Sequence, residues 1–234
     1  MHIAMWSGPR NLSTAMMYSF GARGDFDVLD EPFYGSYLAK SGTHHPMREE
    51  IIGSMQCDAS KVVQSFKKTD KPFLYSKQMT HHMIPDVPRD WFSQTKHVFL
   101  IRHPVRVVAS YARKRKAMNL DDIGFKQQAE IFDEVVDLTG RPIVVDSFDI
   151  RREPEKTLRN LCLALQVPWS KSMLAWPAGG HPADGVWAKH WYGAVHASTC
   201  FAGPENELPL LEPKQQAVAD AAMPYYEAMA VHKI

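Results

Sequence analysis

Three stretches of the chain carry residues whose types and spacing could handle an anion and a proton. The first is Ser7-Gly8-Pro9-Arg10-Asn11-Leu12-Ser13-Thr14, entered by an apolar run over residues 1–5 and left by a helix-period run. A strand that turns through Gly8-Pro9 into a helix beginning near Asn11 leaves backbone N–H groups unpaired at a helix N-terminus, where the macrodipole also favours negative charge. Arg10 adds a fixed cation there, and Ser13 and Thr14 add hydroxyl donors able to reach phosphate oxygens. The same letters also describe a plain strand, turn and helix capped by Asn11 or Ser13. The second stretch places Arg102 at the carboxyl end of the apolar run 98–101, with Pro104, Ser110, Arg113 and Lys114 following. A basic solvated helix face accounts for the lysines, whereas an arginine set directly at the end of a core strand fits an anion. The third is discontinuous. Asp30-Glu31-Pro32 ends a short apolar run, and Lys77 ends another, with His81 and His82 just beyond. Carboxylates at strand ends sit where open α/β sheets bind ligands, and a lysine with nearby histidines is a general acid/base arrangement.

Those residues need strands to end on and helices to return the chain. Apolar runs at 26–29, 73–77, 98–101 and 143–145 read as buried strands, the last closed by Asp146. Helical periodicity marks 47–67 as two helices broken near Asp58, then 104–116, 125–138 ended by Gly140, 154–165, and 213–229. Strands alternating with helices predict an α/β fold of three layers, a mainly parallel central sheet flanked by helices, over one domain spanning 1–234. Two regions read as irregular. Residues 35–48 are polar, with Gly35, Gly42, His44, His45 and Pro46, and suggest a mobile lid. Residues 168–209 are rich in Gly, Pro and Trp, and Trp187, Trp191 and Tyr192 there suggest a segment folded over a ligand.

The bulk chemistry narrows the partners. The chain has 234 residues, 45% hydrophobic and 23% charged, with a formal net charge of +1. That balance implies neither a nucleic acid nor a membrane surface as partner, so any anion site must be local. Cys57, Cys162 and Cys200 form neither a disulfide framework nor a zinc pattern, and fit a reducing, cytoplasmic setting. His44 and His45 lack further ligands at metal spacing, so no metal site is expected.

The first loop lacks the second glycine and the lysine of a Walker A sequence, which disfavours an ATP-dependent kinase and leaves open a phosphate cradle that needs no metal. With the other stretches it resembles the PAPS-dependent sulfotransferases, which use 3′-phosphoadenosine 5′-phosphosulfate and have a P-loop NTPase-like fold. Ser7-Gly8-Pro9-Arg10-Asn11-Leu12-Ser13-Thr14 occupies the place of the family's 5′-phosphosulfate loop, and Arg102, Pro104 and Ser110 match its 3′-phosphate motif R-x-P-x₅-S. Pro154-Glu155 to Leu158 resembles the P-E-x-x-L segment that follows, and Gly185-Val186-Trp187-Ala188-Lys189 a weak form of the late G-x-W-K loop, which makes Trp187 a nucleotide-binding residue by resemblance. Ser-Gly-Pro-Arg-Asn together with Asp30-Glu31-Pro32-Phe33-Tyr34 is similar to a bacterial sulfotransferase-like subgroup.

The resemblance implies transfer of a sulfuryl group from PAPS to a hydroxyl or amine of a small-molecule acceptor, leaving adenosine 3′,5′-bisphosphate. Arg10 or Lys77 would hold the bridging oxygen of the leaving phosphate, because the first loop has no lysine. Met79 stands where cytosolic members place a catalytic histidine, so Glu31 is first as general base, with His81 or His82 next. The Arg-Lys-Gly that closes on the 3′-phosphate in the family is absent. An ATP-dependent small-molecule kinase and a catalytically inactive nucleotide-binding module are the alternatives.

Overall fold

A computed structural model describes residues 1–115, 117–140 and 142–234. Its elements in chain order are β1 (His2–Ser7), α1 (Ser13–Gly21), β2 (Phe26–Asp30), α2 (Tyr34–Ser41), α3 (Arg48–Ser54), α4 (Ala59–Ser65), β3 (Phe73–Met79), β4 (Thr95–Ile101), α5 (Pro104–Ala112), α6 (Leu120–Ile123), α7 (Phe125–Thr139), β5 (Ile143–Asp146), α8 (Ser147–Arg152), α9 (Pro154–Leu165), α10 (Ala188–Trp191), α11 (Gly193–His196) and α12 (Pro213–Ala230). The five strands form one sheet in the order β2-β3-β1-β4-β5, and every pairing is parallel.

Side-chain alternation along the central strands builds two separate cores. Ile3, Met5, Val98 and Leu100 point to one face, where they meet Met16, Met17 and Phe20 of α1 and Leu158, Leu161 and Leu165 of α9. Ala4, Trp6, Phe99 and Ile101 point to the other, where they meet Val62 of α4, Ile131, Phe132 and Val135 of α7, and Met229 of α12. The strands therefore read as unbroken apolar runs because both faces are covered, the pattern of a parallel sheet inside three layers. Fully burying each such side chain contributes roughly 1.5–3 kcal/mol.

The broken helical region is as the sequence predicts: Asp58 caps α4, its carboxylate accepting from the N–H groups of Ser60 at 2.9 Å and Lys61 at 3.3 Å. Three expectations change. The expected lid over 35–48 is largely helix: α2 runs to Ser41 and ends at Gly42, whose φ of 64° suits its glycine. Tyr34 and Leu38, four residues apart, are buried on that helix's inner face, so an i, i+4 apolar pair outweighs the polar composition. The cap expected on α1 is also different. Leu12 occupies the cap position in the left-handed region with no side-chain cap, and the Asn11 amide instead donates to the Leu100 carbonyl at 3.4 Å. Finally, α5 ends at Ala112, and Lys116, at the end of the basic stretch read from the sequence, lies outside the described residues.

Candidate active site

A cavity of about 750 Å³ opens at the carboxyl ends of the central strands. The chain order reverses around β1, which lies between β3 and β4, and open α/β sheets bind ligands at such a switch point. Residues 9–15 line the cavity together with Glu31, Lys77, Met79, His81, His82, Arg102 and Ser110. The three discontinuous stretches of the sequence thus meet in one place.

The 8–12 turn is a strained, tightly packed backbone. Arg10 and Leu12 both lie in the left-handed region, with φ of 66° and 72°, a conformation that non-glycine residues adopt at a cost of order 1–3 kcal/mol. Alternation of this kind turns successive N–H groups to one side and makes an anion-binding concavity. Since α1 has no side-chain cap and no acidic residue in its first turn, its N-terminal donors are left for a ligand. The turn rests on the α6–α7 junction. A Cβ on Gly8 would stand 2.3 Å from the Ile123 carbonyl oxygen, and one on Gly124 3.3 Å from the Gly8 Cα. Backbone meets backbone there, which explains both glycines.

The cationic side follows from β4 and α5. Arg10 Nε donates to Ser110 Oγ at 3.0 Å, and Arg102 Nη1 donates to the Arg10 carbonyl at 2.8 Å. Among the described residues the buried Arg102 Nε has no partner, an unsatisfied donor of the kind an anion would meet. Burial first, then the neighbouring Arg102 and Arg113, push the Arg10 guanidinium below its usual value. Positive charge is crowded here.

The acid/base side is set by the β2–β3 register, which places Asp30 beside Lys77. Lys77 Nζ is buried and donates to Asp30 Oδ1 at 3.0 Å, Glu31 Oε1 at 2.8 Å and the Tyr192 hydroxyl at 2.5 Å. The Tyr192 hydroxyl also accepts from Trp187 Nε1 at 2.9 Å and gives its own proton to Asp30 Oδ2 at 2.8 Å. Burial disfavours the ammonium, but Asp30 and Glu31 outweigh it and raise the Lys77 pKa. Burial raises Asp30 to about 6 against the opposing pull of Lys77. Glu31 turns out of the strand with φ of 46°, and its Oε2 lies 4.0 Å from His82 Nε2.

The two histidines stand in for no metal ligand set: among the described residues no three His, Cys, Asp or Glu side chains converge as one. Burial lowers His81 to about 4 and His82 well below its ordinary value, so both are neutral at pH 7. Among the described residues neither ring nitrogen of His82 has a hydrogen-bond partner, and its ring stacks on Tyr34 and Tyr37 at 4.4 and 4.9 Å. Tyr34, Tyr37, His45, Tyr111 and Trp191 complete an aromatic side of the cavity, beside Thr43.

Lys77 and Trp187 are both buried side chains bonded to the Tyr192 hydroxyl. All three N–H donors of Lys77 are engaged by Asp30, Glu31 and Tyr192. Trp187 is buried at 2% exposure, does not line the cavity, and supports Tyr192 from behind. Ser7 and Gly8 likewise lie beneath the loop and shape it, whereas Pro9, Arg10, Asn11, Leu12, Ser13 and Thr14 reach the cavity. The sequence gives no sign of the Tyr192 hydroxyl joining the Asp30–Glu31–Lys77 group, because its partners are 115 residues or more away along the chain.

A family model for the sulfotransferase domain matches residues 1–233. The chain belongs to the sulfotransferase domain family. It is 35% identical over 232 residues, 98% of its length, to branched-chain-amino-acid aminotransferase-like protein 1 of Arabidopsis thaliana. The chain spans about two fifths, 42%, of the length of that relative. Among solved structures it is similar to a mouse sulfotransferase complexed with PAP, with a TM-score of 0.59 at 11% identity over 96% of this chain and 84% of that one. The sulfotransferase domain from the curacin biosynthetic pathway gives a TM-score of 0.55 at 15% identity over 94% and 96%. These likenesses make the three-layer parallel architecture the P-loop-like sulfotransferase fold. No described helix of the sulfotransferase domain is long and apolar enough to cross a membrane.

Proposed function

We propose that this chain transfers a sulfuryl group from PAPS to a hydroxyl or amine of a small-molecule acceptor, without a metal. The observation that carries the reading is the meeting, in one cavity, of the uncapped α1 N-terminus and Arg10 with Glu31 and the buried Lys77. The cavity lies in the size range of ligand pockets, and its unpartnered Arg102 Nε and crowded guanidinium groups fit a polyanionic nucleotide. PAP in the mouse neighbour supports the same donor class. The donor, when bound, supplies an activated sulfuryl group whose transfer parallels phosphoryl transfer, with charge building on equatorial and bridging oxygens.

In this reading the first-turn N–H groups of α1 and the Arg10 guanidinium meet that charge with dipoles already in place. Glu31 takes the acceptor proton on Oε2, the oxygen not bonded to Lys77. Lys77 and Tyr192 hold that carboxylate in one orientation. The Tyr34, Tyr37 and Trp191 side binds the acceptor's apolar part and keeps water from the transfer.

The test is a thermal-shift titration with adenosine 3′,5′-bisphosphate beside ADP, each with and without Mg²⁺. A ligand at about 100 times its dissociation constant stabilises the fold by roughly 2.7 kcal/mol, an easily measured rise. The expected result is a rise with the bisphosphate that Mg²⁺ does not change. A rise only with Mg–ADP would instead make the chain a kinase.

A further inference from the structure

Arg102 lies against the nucleotide cavity, yet its guanidinium already has an internal anion. Its Nη2 pairs with Glu205 Oε1, and the same oxygen accepts from Arg151 Nη1 at 2.8 Å, while Glu205 Oε2 lies 3.1 Å from Arg106 Nε. The Glu205 side chain is 1% exposed, whereas the three arginines keep 12–21% of theirs in contact with solvent. Three elements supply these cations: the end of β4, α5 and α8.

The segment carrying Glu205 has no helix or strand between residues 201 and 212 and is exposed at Ala202, Gly203, Pro204 and Asn206. Among the described residues, what fastens it over the arginines is polar. Arg151 Nε donates to the Gly203 carbonyl at 2.9 Å, and Arg106 donates to the Asn206 carbonyl. A second cavity of about 310 Å³ lies beneath it, sharing Arg102 and Ser110 with the larger one and adding Arg106, Arg113 and Arg151.

Charge and geometry argue that a carboxylate is not the anion this group of residues suits best. Among the described residues Glu205 is the one carboxylate paired with Arg102, Arg106 and Arg151, a single negative charge against three positive ones, with Glu207 also lining the smaller cavity and Arg113 adding a further cation there. A phosphomonoester carries about −1.5 to −2 and three acceptor oxygens, one for each guanidinium fork. We infer that Arg106 and Arg151, with Arg102, are the specificity-determining residues for a phosphomonoester on the donor nucleotide, and that Glu205 is the resident carboxylate this phosphate displaces. The inference rests on the proposed nucleotide donor. It supplies what the sequence lacks, since the Arg-Lys-Gly expected to close on the 3′-phosphate is missing. Glu205 keeps mutually repelling guanidinium groups together in the free protein, and its segment is released when the nucleotide takes over their charge.

Isothermal titration with adenosine 3′,5′-bisphosphate and with AMP, which lacks the 3′-phosphate, separates the outcomes. Arg106→Gln and Arg151→Gln should each weaken the bisphosphate about tenfold or more, the loss of one charge-assisted hydrogen bond, and leave AMP within about twofold. Glu205→Gln should tighten the bisphosphate several-fold and leave AMP unchanged. Glu205→Asp, with its charge kept on a shorter stem, should tighten it less and guards against misfolding of the Gln variant. Unchanged bisphosphate affinity in both arginine variants, or weaker binding of both nucleotides in the folded Glu205 variants, would make the group a structural tie and overturn the inference alone. If the wild-type chain binds neither nucleotide, the donor reading falls and this inference falls with it.

Discussion

At the scale of single residues, one buried lysine divides two adjacent carboxylates. Asp30 and Glu31 are neighbours in sequence, but β2 ends between them. Asp30 stays in the sheet beside Lys77, and Glu31 swings out with a positive φ. Lys77 binds one oxygen of Glu31 and leaves the other toward the cavity, 4.0 Å from an unpartnered neutral His82. Glu31→Gln keeps the shape and the Lys77 contact through its amide oxygen but cannot accept a proton. With a true acceptor, turnover should fall about 10²–10⁴-fold, the usual worth of a general base, while the dissociation constant of adenosine 3′,5′-bisphosphate stays the same. An unchanged rate would move the base to His81 or His82. Glu31, Lys77 and Arg102 were legible in the sequence because each is an unusual residue type at or beside the end of an apolar run, and Arg10 because it follows a Gly-Pro turn into a helix. Glu205 was not, because nothing in its own neighbourhood marks it, and for Tyr192 the Gly- and Trp-rich surroundings suggested a segment over a ligand but not its bonds to Lys77 and Asp30. Each acquires its role from partners brought to it by the fold.

At the scale of elements, the 8–12 turn is made by a collision that two glycines avoid. The 8–12 turn can sit low over the sheet only because Gly8 lies against the Ile123 carbonyl and Gly124 against Gly8. A methyl group on Gly8 has no room, since the nearest atom is backbone at the end of α6 and cannot rotate aside. Gly8→Ala should therefore push the turn and α6 apart and destabilise the fold by about 1–3 kcal/mol, the range for overpacking. It should also weaken bisphosphate binding, since the same shift moves the Arg10 backbone and the first turn of α1. Chemical denaturation and titration calorimetry on one sample measure both effects; full stability with normal binding would show that the turn is not held by this contact. Element identity was legible where burial on both faces wrote continuous apolar runs, as in β4, and where a cap marked a start, as at Asp58. It was not legible for α2. There the inward residues Tyr34 and Leu38 are too few to stand out among polar neighbours, and the helix exists because Trp187 and Tyr192 supply a surface for them.

At the scale of the whole molecule, the two ends of the sheet carry different burdens. The carboxyl ends hold strained turns, unpaired donors and surplus charge, while the amino ends hold satisfied polar groups inside packed aromatics. His97 illustrates the second. Its Nδ1 accepts from Trp6 Nε1 at 2.8 Å and its Nε2 donates to the Phe92 carbonyl at 2.9 Å, so the neutral ring uses both nitrogens. Burial lowers its pKa to about 4, and the carbonyl bond only partly opposes that shift. His2, nearby, is lowered to about 3, by burial first and then by His97 and the amino terminus. A histidine whose folded value lies below its unfolded value of about 6.5 contributes stability that is complete above pH 6.5 and is lost as pH falls toward the folded value. Between pH 6.5 and 4 His97 alone should thus withdraw about 3 kcal/mol, at 1.36 kcal/mol per unit. Unfolding free energy measured by urea at several pH values should fall steeply over that window. In His97→Gln, which keeps a donor and an acceptor but does not titrate, the fall should be shallower by a similar amount. A slope unchanged by the substitution would place the acid sensitivity with the other buried histidines, His2, His81 and His82.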